Sequence, residues 1–123
     1  MLHSPRRWGF VTAAFLCVAS VAAAQTSKIP YEIVTATSAL SGAQRQEIDR
    51  YAQDMIARLT FGTLNEAVQA RKDLIEPMSW AGSSDIFHLA YSSAVSGRLS
   101  QAIGSEQVHV RLNAMIVVGS LRD

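Results

Sequence analysis

Cysteine is nearly absent. Cys17 is the single one in 123 residues, and it lies in an apolar N-terminal run. Without it the rest of the chain has no thiol, no disulfide and no cysteine metal site, which removes redox chemistry. Proline is scarce too, with three in the whole chain, and of these only Pro77 falls within a helical pattern, as a late breaker. The glycines at 62, 82, 97, 104 and 119 are isolated, so no Gly-rich loop could cradle a phosphate. No Gly-x-Ser-x-Gly elbow surrounds any serine. His88 and His109 each lack a second ligand at i+3 or i+4, so neither builds a metal site. Glu47, Asp49 and Asp54 read as a solvated face and Ser83-Ser84-Asp85 as a helix start. No catalytic residue, metal or cofactor is expected, and the chain reads as no enzyme.

What is present begins with an export signal over residues 1–24. Arg6 and Arg7 supply the positive end, Trp8 to Ala23 is mostly apolar, and Ala22-Ala23-Ala24 before Gln25 offers the small residues of a cleavage site. Leu16, before Cys17, is not the small residue of a lipoprotein signal. A retained anchor is the rival reading, but the run is short of the roughly 20 residues a spanning helix needs. The chain is therefore expected to be exported, periplasmic or secreted, and off the membrane once cleaved. The whole sequence carries 11 Lys+Arg against 10 Asp+Glu, a formal +1. Removing Arg6 and Arg7 leaves 11 − 2 = 9 against 10, or −1. Nothing in that balance attracts nucleic acid or anionic lipid.

Residues 25–40 hold Pro30, several Ser and Thr and the β-branched Ile33-Val34-Thr35, and read as an extended lead-in. Residues 41–123 read as about four helices. From Gly42 to Thr60, Ile48, Tyr51, Ala52, Met55, Ile56 and Leu59 recur at three/four spacing with charges outside. Thr63-Leu-Asn-Glu66 is a capping-box pattern opening a second helix. Ser83 or Ser84 starts a third, over Asp85 to Ile103, with Phe87, Tyr91, Ala94, Val95, Leu99 and Ala102 on its face. A fourth runs from an N-cap at Ser105 to Leu121. It bears two apolar stripes, Val108/Leu112/Met115/Val118 and Val110/Ala114/Val117/Leu121. A helix so apolar all round must sit between partners.

Shifting the chain by forty residues lays Gly42 on Gly82, Tyr51 on Tyr91, Arg58 on Arg98, Leu59 on Leu99, Glu66 on Glu106, Val68 on Val108 and Arg71 on Arg111. Two amphipathic helices repeating every forty residues is the pattern of an α-solenoid.

Val110-Arg111-Leu112-Asn113-Ala114, followed by Gly119-Ser120-Leu121-Arg122-Asp123, resembles the first helix of a HEAT-like repeat. Its usual pattern is a Val-Arg pair, a small residue three positions after the Arg, then Gly, Leu and Asp. Ala70-Arg71-Lys72-Asp73-Leu74 is a poorer copy, without the closing Gly and with Pro77. The resemblance implies an all-α fold, a short solenoid of antiparallel helix pairs of the armadillo type. It implies that Arg71 and Arg111 tie inter-repeat loops through carboxylates or backbone carbonyls, with Glu66, Glu106, Asp73 and Asp85 as possible partners. It also implies a further helix packed behind Gly119. The chain is therefore expected to be incomplete at its C-terminus, or to close its last helix in a homodimer. The role implied is a binding or scaffold module for a protein partner or the remainder of its own chain. A self-associating structural protein, or the helical part of a longer enzyme, is the alternative.

Overall fold

The computed structural model describes residues 28–121; the stretch 1–24, expected to be an export signal, and Arg122-Asp123 lie outside them. Among the described residues there is helix and no strand. A single turn, α1 (Tyr31–Val34), precedes α2 (Gly42–Phe61), α3 (Leu64–Ile75), a 3₁₀ turn over Glu76–Ser79, α4 (Asp85–Ile103) and α5 (Val108–Ser120).

Local chemistry sets most of these boundaries. Ser41 and Gln44 form a reciprocal capping box at the start of α2, and Thr63 and Glu66 form another at the start of α3. Two such starts, separated by the end of α2, leave only Gly62-Thr63 to turn the chain. A Cβ on Gly62 would overlap the Arg58 carbonyl and the Glu66 carboxylate, so only glycine fits. The Ser84 hydroxyl accepts from the Phe87 amide to open α4. The turn before it needs Gly82, whose φ of 82° is left-handed, and the Ser83 amide closes it on the Trp80 carbonyl.

Two expectations are corrected. Within the stretch read as an extended lead-in, Tyr31–Val34 form α1, and Ile29, Ile33, Val34 and Leu40 enter the core. It is pinned there by the Ser84 amide on the Val34 carbonyl and by the Tyr31 hydroxyl on the Ala81 carbonyl, with the Tyr31 and Trp80 rings 6.3 Å apart. The last helix starts at Val108 behind Gln107, not at Ser105, whose hydroxyl instead accepts from the Gln107 amide. The carbonyls of Ser105 and Glu106, which a longer helix would use internally, take the Arg111 guanidinium.

Packing follows a crossed pattern. α2 lies against both α3 and α4, and α5 lies against both α3 and α4. Tyr51, Met55 and Leu59 from α2 meet Tyr91, Val95 and Leu99 from α4 in one continuous core, which Leu74 of α3 and Val110, Ala114 and Val117 of α5 complete. These side chains are almost wholly removed from water, and each large one contributes roughly 1.5–3 kcal/mol of transfer free energy.

Candidate functional site

Of the two apolar stripes on α5, one is core and the other is bare. At 100° per residue, Val110, Asn113, Ala114 and Val117 fall on one side of the helix, and all four are buried. Val108, Leu112, Met115 and Ile116 fall on the opposite side and remain 59 %, 55 %, 54 % and 46 % exposed. Val118, expected with them, is half-buried against the core. Gly119 continues the bare face, and a side chain there would meet nothing within 4 Å. No charged residue interrupts this face. Four large apolar side chains side by side approach the few hundred Å² that mark interaction surfaces.

Of the partners expected for the two arginines, carboxylates or backbone carbonyls, Arg111 takes backbone carbonyls, while Arg71 takes a side-chain amide instead. The Arg71 guanidinium on α3 donates to the Asn113 side-chain oxygen on α5 at 3.0 Å. Asn113 is the buried polar residue among the described ones, 5 % exposed, and its amide nitrogen donates to the His109 carbonyl. A buried amide with both ends engaged is tolerated where an idle one would be costly. Arg111 closes its own loop on the Ser105 and Glu106 carbonyls, at 2.7 and 3.1 Å. The Glu66 carboxylate is occupied by the Thr63 amide, and Asp73 accepts from Gln69. Glu106 contributes its backbone to Arg111 and leaves its side chain exposed. No signal marked Asn113, because an asparagine inside an apolar helix reads as a polar interruption until its partner is known.

The nearest approach to reactive chemistry is Ser83, whose hydroxyl lies 2.7 Å from His88 Nε2. Ser83 precedes the cap of α4 and His88 sits in its first turn, where a staple between chain entry and helix is usual in apolar form. The pair is accounted for by that role. The other histidine among the described residues, His109, holds the buried side-chain polar atom there without a partner, its Nε2. No group of three or more metal-capable side chains occurs among the described residues. No helix among them is long and apolar enough to cross a membrane.

Two tyrosines complete the inner geometry. The Tyr51 and Tyr91 hydroxyls donate to the Asp73 and Leu74 carbonyls at the end of α3. Burial, with the nearby Asp73 charge, pushes both phenols above their ordinary pKa, so they stay protonated as donors. Comparison with family models, curated proteins and solved structures finds no match for this chain.

Proposed function

We propose that this chain is an exported, non-enzymatic helical-repeat module that binds a protein partner, or the remainder of its own chain, through the bare face of α5. The carrying observation is the opposite fate of the two α5 stripes. One is buried and the other, Val108/Leu112/Met115/Ile116, is left to water although it is equally apolar. A face of that kind is favourable to cover and costly to leave open.

A HEAT-like stack of two helix pairs, α2/α3 and α4/α5, is the arrangement we favour. It is supported by the contacts of α2 with α4 and of α3 with α5, and by the buried positions that recur in phase over forty residues. Tyr51 and Tyr91, Met55 and Val95, Leu59 and Leu99, Ala70 and Val110, and Leu74 and Ala114 are all core pairs. The export signal at 1–24 sets the compartment in this reading, as periplasmic or secreted. Homodimerisation through α5 is the second reading, favoured by the absence of charge on that face, since two copies would meet without repulsion.

Light scattering on the full chain and on Leu112→Glu and Ile116→Glu variants tests both. A wild-type dimer that becomes monomeric in the variants supports self-association. A monomer that crosslinks to one defined partner in the exporting cell, with loss in both variants, supports the module. A monomer with no crosslinked partner, unchanged by either substitution, refutes the use of this face.

A further inference from the structure

A second surface, sharing no residue with the α5 face, runs along the seam between α2 and α4. Its central part is an open groove of about 560 Å³. Small side chains, Ala90, Ala94 and Gly97, form the α4 side where a larger residue would fill the seam. Arg45 on α2 and Arg98 on α4 flank it, against one carboxylate, Asp49. The groove continues past Gly97 and Arg98 to Phe61, and past Arg45 and Ala90 to Leu40 and Leu89. Phe61 and Leu89 are the two most exposed large apolar residues among those described, at 75 % and 77 %. The surface therefore has an apolar anchor point at each end and a net positive charge between them.

We propose that this seam is the docking groove for an acidic amphipathic helix of a partner protein. Two guanidiniums against a single carboxylate favour an acidic occupant, and arginine recognises carboxylates through paired donors. The exposed leucine and phenylalanine call for apolar side chains at both ends of the same segment. The occupant arrives as a helix because both walls are helices, with their backbone groups already paired. An extended strand would find no sheet edge to satisfy its own amides, whereas a helix brings its hydrogen bonds with it. From Leu89 to Gln101 the groove runs roughly 18 Å at 1.5 Å per residue, enough for about three turns.

The test uses the full chain and a fluorescein-labelled sixteen-residue helical peptide with leucines along one face and glutamates beside them. Anisotropy follows binding at low salt and at about 0.5 M salt, where screening weakens exposed charge pairs. Binding is expected to weaken about tenfold or more in the Arg45→Glu/Arg98→Glu variant and in Gly97→Leu, and to weaken with salt. A Cβ at Gly97 has nothing within 4 Å, so Gly97→Leu blocks the groove while its thermal midpoint is kept. Leu112→Glu on α5 is expected to leave peptide binding unchanged. Any one of three results overturns the proposal: no binding at millimolar peptide, equal binding of a peptide with lysine for glutamate, or undiminished binding by Gly97→Leu. Loss on Leu112→Glu alone would move the peptide to the α5 face, which overturns the groove and leaves the reading of α5 standing.

Discussion

Tyr51 donates its hydroxyl to the carbonyl that Pro77 leaves without a donor. In a continuing α-helix the amide of residue 77 would bond the Asp73 carbonyl, and in a 3₁₀ turn the Leu74 carbonyl, but proline has no N–H. The chain tightens to 3₁₀ over Glu76–Ser79, and the Tyr51 and Tyr91 hydroxyls reach those two carbonyls from α2 and α4. Their rings lie 6.4 Å apart, and Tyr91 is stacked at 5.1 Å on Phe87, so packing fixes the hydroxyls where the helix end needs them.

Tyr91→Phe is expected to destabilise the chain by about 1–3 kcal/mol, the usual cost of leaving a buried acceptor idle. Tyr51→Phe should cost less, because Tyr51 is the less enclosed of the two. Pro77→Ala restores an amide that can serve Asp73, so Tyr51→Phe should cost less in that background than in the wild type. A double-mutant cycle by urea denaturation measures the coupling, and strict additivity would remove the link between Tyr51 and Pro77.

Alkaline pH acts on the same pair. Both phenols ionise higher in the folded chain than at their ordinary 10.0, chiefly through burial. The unfolded chain therefore loses these protons first, and the stability they contribute is complete below about pH 10 and falls as pH rises beyond it. Thermal midpoints taken from pH 8 to 11.5 should drop on the alkaline limb, and Tyr91→Phe should flatten that drop. An unaltered limb in the variant would exclude Tyr91 as its source.

Two glycines should respond with opposite sign. Gly62→Ala places a Cβ against the Arg58 carbonyl and the Glu66 carboxylate, breaking the tight α2–α3 link and its capping box, at a cost of about 2 kcal/mol or more. Gly97→Ala lies mid-helix with open space around the new methyl, and should stabilise by about 0.5–1 kcal/mol. Differential scanning calorimetry of both variants is sufficient to read the two signs.

Arg71 and Asn113 should be coupled. Arg71→Ala leaves the Asn113 oxygen without its donor inside the α3–α5 contact, and about 1–2 kcal/mol should be lost. Asn113→Ala should remove most of the further effect of Arg71→Ala. Arg111→Ala, which frees two loop carbonyls, should act independently of both. Chemical denaturation of the single and double variants checks each statement.

The positions of the helices were legible in the residues because capping and periodicity are local. Thr63 with Glu66, Ser84, and the three/four spacing of Tyr51, Met55 and Leu59 each act within one or two turns. The Ser41–Gln44 capping box is equally local, but it was recognised only in the structure. The start of α5 was not legible, because Ser105 is as good a cap as any serine until Arg111 claims the carbonyls beside it. Nor was α1, whose four residues hold their turn only because the α4 entry loop bonds back to Val34.

The chain's own order of residues determined that it would be helical, where α2, α3 and α4 would begin, and that the last helix would carry two apolar stripes. It could not determine which stripe would be buried. Val110/Ala114/Val117 and Val108/Leu112/Met115 are comparable in hydrophobicity, and burial depends on shape as well as on area. Only the tertiary structure decided between them: Asn113, on the side of the smaller residues, meets Arg71 there, while the bulkier side chains are left facing out. The same holds for Tyr51 and Tyr91. Their forty-residue spacing is written in the sequence, but their task at the Pro77 helix end exists only once α2, α3 and α4 are packed together.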